Sequence, residues 1–163
     1  MDYTSIFSMH QELSLIAVFL LTFVMDLFLP EEHRYLARRG ACIALAIHLV
    51  LNLVPDEVVL FGGMYHSTPM ASVMKSILTL GTILVFLQSS DWLKRQDVKH
   101  KNGEFYILTL STLIGMYFMV SSGHFLLFFL GLELATVPMA CLIAFDKYKG
   151  NSAEAGAKFI LSA

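Results

Sequence analysis

The chain has 163 residues, of which 56% are hydrophobic, 12% aromatic and 15% charged, with a net charge of −2 and a mean hydropathy of +0.67. A soluble domain of that length carries more charge and interrupts its apolar runs sooner. Nucleic-acid binding is excluded too, because the basic residues sit in short segments between apolar runs and form no patch.

The N-terminus, Met1-Asp2-Tyr3-Thr4-Ser5, has no basic n-region and no small-residue cleavage site. The first apolar run therefore reads as a retained span. Apolar runs long enough to cross hydrocarbon as helices recur along the chain. The fold class expected is an all-α, polytopic transmembrane bundle, treated as a single domain over 1–163. Its spans fall at about 11–30, 40–55, 69–92, 105–122 and 124–146, with an incomplete sixth over 152–163. That makes five complete spans and the start of another. Asn151 and Glu154 have the spacing of a capping pair for the last helix. The dozen or so residues after them are too few to cross a bilayer, so the sequence reads as truncated.

Asp26 lies near the end of the first span, where pairing with Arg34, Arg38 or Arg39 is the favoured reading. Cys42 in the second span and Cys141 in the fifth read as buried thiols, with no CxxC and no disulfide framework. His48 and Asn52 are four apart on one helical face, suited to interhelical hydrogen bonding more than to lining a path. The stretch 55–68 is acidic and turn-rich, and its Gly62-Gly63 reads as a turn because no flanking GK[ST] supports a phosphate cradle. Lys75 lies a few residues inside the third span, where snorkelling to the interface is favoured over burial.

Glu133 is an isolated acid in Leu130-Gly131-Leu132-Glu133-Leu134. It lies about ten residues, or ~15 Å, from a helix end, at the middle of a core roughly 30 Å thick. A carboxylate there costs on the order of 2.5–3.5 kcal/mol on insertion scales. It serves either as a protonated acid bonded to a neighbouring helix or as an ionisable switch in a proton or cation path, and the sequence favours the switch. Pro138 removes one backbone bond and can loosen the same helix. Lys158 lies about 9 Å into the last helix on a surface of small residues, and snorkelling and a place inside the bundle both stand. No cluster of His, Cys or carboxylates has metal-ligand spacing, and no GxSxG, HExxH, CxxCH or iron–sulfur cysteine set is present. Catalytic, cofactor-binding and metal residues are therefore expected to be none.

Charge sets the orientation. Arg34, Arg38 and Arg39, then Lys94, Arg95, Lys99 and Lys101, then Lys147 and Lys149 are nine of the eleven basic residues, and all fall on one side of the alternating spans. That side is the cytoplasm by the positive-inside rule, which puts loops 31–39, 93–104 and 146–151 inside and the N-terminus outside.

Gly103-Glu104-Phe105-Tyr106, Leu130-Gly131-Leu132-Glu133-Leu134 and Ser152-Ala153-Glu154-Ala155-Gly156-Ala157-Lys158-Phe159 together resemble a known family. It is the antiporter-like membrane subunits of respiratory complex I, and in particular subunit N of bacterial NADH–quinone oxidoreductase. Asp26-Leu27-Phe28 and Phe61-Gly62-Gly63-Met64-Tyr65 are weaker matches. Residues 103–163 resemble the family closely and the first hundred more loosely. The resemblance implies a larger bundle of inverted helical repeats, each containing a broken helix. It implies that Glu133 faces a lysine on a later helix beyond Ala163, with Lys158 as the nearest relay within these residues. Lys75, Asp26 and His48 are secondary candidates.

The partners implied are the other membrane-arm subunits and the lipid bilayer of the cell inner membrane, with no nucleic acid. NADH, FMN, iron–sulfur clusters and quinone are expected elsewhere in the complex and none on this chain. The mechanism implied is electrostatic: quinone reduction shifts charge, and the Glu133–lysine interaction switches the lysine's protonation. At ~4 Å and an effective dielectric near 20 such a pair contributes about 4 kcal/mol, which is enough. Two alternatives stand beside this reading. One is a subunit of a related cation/proton antiporter or membrane hydrogenase, and the other is a purely structural scaffold subunit.

Overall fold

The computed structural model describes residues 7–28, 34–55, 57–93, 102–146 and 150–162, apart from the side chains at 34–38, 90, 91, 102 and 150. Among the described residues six α-helices follow in chain order: α1 His10–Phe28, α2 Arg34–Leu51, α3 Pro69–Trp92, α4 Asn102–Val120, α5 Phe125–Ile143 and α6 Gly150–Ser162. Four of them, α1, α3, α4 and α5, are long and apolar enough to cross a membrane. With most of their apolar surface facing outward, they make this a multi-pass membrane protein.

The span count thus differs from the sequence expectation. In α2 only Arg39–Leu51 is apolar, because Arg34, Arg38 and Arg39 occupy its first turns, and the helix ends before residue 55. The basic loops expected to face the cytoplasm fall largely outside the described residues. So do the side chains of Arg34, Arg38, Lys94, Arg95, Lys99, Lys101, Lys147 and Lys149.

Local chemistry accounts for several boundaries. Thr68 caps α3 by accepting from the Ala71 amide at 3.1 Å, and Pro69 opens the helix where a missing N–H does no harm. His124 caps α5, accepting from the Leu126 amide at 3.2 Å. Despite Pro138, α5 runs on as one helix. Asn151 lies inside α6 and does not cap it from outside, and Glu154 forms an ion pair with Lys158.

The 55–68 stretch is more ordered than a turn. Val58–Leu60 (β1) and Tyr65–Ser67 (β2) form an antiparallel hairpin in which Val59 pairs with His66. The connecting turn needs left-handed backbone at Phe61 (φ 52°), Gly62 (65°) and Gly63 (92°), which explains the two glycines. His66 N donates to Ser121 O and Gly123 N to Met64 O, both at 2.8 Å, which stitches the hairpin to the α4–α5 corner.

α4 and α5 form the most extensive helix pair. A Cβ on Gly115 would lie 2.5 Å from Ala135 N, and one on Gly131 would lie 2.8 Å from Met119 N, so the two backbones touch. α1, α2 and α3 gather around the other side of α4, with Leu15, Leu45, Phe86 and Leu110 fully buried between them. At the opposite end from the hairpin, Phe86, Tyr106, Phe105, Trp92 and Phe145 form an aromatic cluster, with Phe86 and Tyr106 edge-to-face at 4.8 Å.

Candidate functional site: a buried charge network and an unpaired acid

Two ionisable features stand apart in the described residues. The first lies inside the α1–α4 bundle near the hairpin end. Lys75, seventh residue of α3, is 1% exposed and donates to Glu12 Oε1 at 2.6 Å; Glu12 is 2% exposed. Lys75 therefore does not snorkel. A carboxylate on α1 holds its ammonium inside, and Gln11 Oε1 (3.1 Å) and Tyr65 Oη (3.4 Å) take its other protons. Tyr65 donates to Glu12 Oε2 at 2.7 Å and Ser121 to Oε1 at 3.2 Å. Both carboxylate oxygens are thereby satisfied. Burial, reinforced by the adjacent Glu12 charge, pushes the Tyr65 phenol above its ordinary range.

One turn deeper, the network continues in neutral groups. Tyr117 Oη donates to the Lys75 carbonyl at 3.3 Å and meets the Thr79 hydroxyl and His48 Nε2, the latter at 3.0 Å. His48 Nδ1 faces Ser14 Oγ at 2.9 Å and Asn52 Nδ2 at 3.2 Å. With its proton on Nε2, His48 donates to Tyr117 Oη and leaves Nδ1 as an acceptor. His48 and Asn52 thus act as hydrogen-bonding links between α1, α2 and α4, in keeping with their shared face.

The second feature is Glu133, the ninth residue of α5. It is exposed, and no ion pair engages it among the described residues. It borders a cleft of about 170 Å³ lined by Leu132, Thr136, Val137, Phe159 and Ile160, where α6 packs on α5. Lys158 is the residue next to that lining in sequence and does not line it. It pairs with Glu154 at 2.6 Å on an exposed face.

Asp26 packs against Gly103 of α4, and its Oδ1 is buried without a hydrogen bond among the described residues. The side chains of Arg34 and Arg38, two of its expected partners, lie outside the described residues. Cys42 is half-buried and Cys141 exposed, which differs from the burial expected of both. Among the described residues no three His, Cys, Asp or Glu side chains converge to hold a metal.

Sequence reasoning missed Glu12, Gln11, Tyr65, Tyr117 and Ser121. One signal was available. Glu12 and Lys75 are opposite charges lying within about two turns of the same end of antiparallel-connected helices, so their depths are compatible.

No family model matches the chain. Comparison with curated proteins finds NADH-quinone oxidoreductase subunit N repeatedly. The protein of that name from Phocaeicola vulgatus is 76% identical over 163 residues, which is 100% of this chain and 34% of the relative. That from Azobacteroides pseudotrichonymphae is 39% identical over 165 residues (99% and 34%), and that from Desulforamulus reducens is 34% identical over 154 (93% and 32%). The chain spans about a third of the length of the curated relatives it matches.

Proposed function

Since this chain belongs to the NADH-quinone oxidoreductase subunit N family over the stretch it covers, we propose that it serves in the membrane arm of a proton-translocating NADH:quinone oxidoreductase. Its own part is to hold ionisable groups within the bilayer, in the cell inner membrane with the basic loops facing the cytoplasm. NADH oxidation and quinone reduction belong to partner subunits, which hold the flavin, clusters and quinone.

The observation that carries this reading is Glu133. It is a carboxylate at mid-helix in the most apolar of the four spanning helices, with no ion pair from the described residues. An acid so placed is costly unless its charge is used or met by a partner. Its counter-charge is supplied by a lysine on a helix outside these residues, in the part of the protein that the relatives' greater length leaves room for. A change of charge near the membrane arm then alters the Glu133–lysine interaction and so the lysine's hold on its proton.

Replacing Glu133 by Gln in the intact complex tests this. The side chain keeps its size and loses its charge, so the complex is expected to assemble while NADH-driven proton pumping falls several-fold. Normal pumping by the assembled variant would sink the ionisable role, and loss of assembly alone would favour a scaffold.

A further inference from the structure

A buried ion pair is weak ground for stability, because apolar residues of similar volume often serve as well. The Glu12–Lys75 pair is set apart by its surroundings. Each side chain that donates to Glu12 carries a transferable proton: the Lys75 ammonium, the Tyr65 hydroxyl and the Ser121 hydroxyl. Tyr65 belongs to the hairpin and Ser121 directly follows α4, where its carbonyl accepts from His66 N, so they lead from the pair toward the hairpin face. On the inner side lie Tyr117, His48 and Ser14, in hydrogen-bond contact with one another. Gln11, 3% exposed, keeps its Nε2 donor without a partner among the described residues, so the site has hydrogen-bonding capacity beyond what the ion pair uses. The titratable groups facing the pair are Tyr65, Tyr117 and, one shell deeper, His48.

Resting on the reading of this chain as part of a proton-translocating arm, we propose that Glu12 and Lys75 form a second proton-transfer site, distinct from Glu133, which exchanges protons with the hairpin face through Tyr65 and Ser121. In the transfer step one Nζ–H bond breaks and one Oε1–H bond forms across the 2.6 Å gap. Ammonium and carboxylate become amine and carboxylic acid, with no change in net charge. Glu12 releases its proton through the Tyr65 and Ser121 hydroxyls to water at the hairpin face. The amine regains one from water on the inner side, an approach lined by the Tyr117 ring 5.6 Å from Nζ, with His48 and Ser14 behind it.

The test uses the whole complex in sealed membrane vesicles and reads protons moved per NADH oxidised, together with assembly. Lys75→Arg keeps a positive charge and donors for Glu12, but a guanidinium does not release its proton in a protein. Glu12→Gln combined with Lys75→Gln removes both charges at once, and Tyr65→Phe removes only a relay hydroxyl. Each assembled variant is expected to move fewer protons per NADH, by on the order of twofold or more. A normal ratio in assembled Lys75→Arg overturns the proposal, and so does failure of all three variants to assemble, which would make the pair purely structural. If Glu133→Gln lowers the ratio and Lys75→Arg does not, this site fails while the parent reading survives. If the unmodified complex moves no protons, the parent reading fails with it.

Discussion

Lys75 shows at the scale of one residue how a carboxylate 63 positions away overrides a side chain's ordinary habit. A lysine a few residues inside a span normally reaches back to the interface. Here Glu12, Gln11 and Tyr65 each offer it an oxygen, and the ammonium stays buried. Neighbouring Tyr117 makes a sharper test of the network, because its hydroxyl joins Thr79, His48 and the Lys75 carbonyl. Tyr117→Phe keeps the ring and strands these buried partners, so it should lower stability by about 1–3 kcal/mol. Unfolding of the purified subunit by detergent titration reads this, and a change below a few tenths would mean the network carries little weight. The sequence offered only the matching depths of Glu12 and Lys75, since Glu12 alone looks like an acid in a first helical turn. His48 and Asn52 were readable because their spacing puts them on one face whatever the fold.

Helix existence was legible at the scale of elements because run length and hydropathy are local properties. The hairpin was not legible. Val58–Leu60 and Tyr65–Ser67 are three residues each, too short for alternation to register, and they are held by backbone bonds to Ser121 and Gly123 far along the chain. The contact of α4 with α5 makes a prediction in which two like substitutions have opposite signs. Gly115→Ala places a methyl 2.5 Å from Ala135 N, forcing the helices apart at a cost of about 1–3 kcal/mol. Gly81→Ala in α3 meets nothing within 4 Å and should be neutral or stabilising, by up to about 1 kcal/mol through helix propensity. Equal effects at the two positions, measured by the same titration, would mean that the α4–α5 backbones do not touch.

The whole molecule divides its ionisable groups by partner. The α1–α4 bundle pairs its buried Lys75 with Glu12, whereas α5 presents Glu133 to a surface where the described residues place no counter-charge. Glu133 was legible because an acid amid apolar residues is visible from its neighbours alone. The location of its partner is a tertiary property that no local pattern encodes. The proposed orientation, read from charge in the loops, puts the hairpin outside. Val59 is 58% exposed on β1. In a chain with Cys42 and Cys141 replaced by Ser, Val59→Cys should react with a membrane-impermeant maleimide added to intact cells. Labelling only after the cells are opened would invert the topology.

The hairpin has one further consequence. Its backbone is fastened to the α4–α5 corner, and its Tyr65 hydroxyl is fastened to Glu12. It sits as a stopper in the neck of the four-helix vessel, with the tyrosine as the pin that keeps it seated. Anything that pulls on the surface loop therefore pulls on an internal carboxylate, and the loop and the buried charges share one mechanical state.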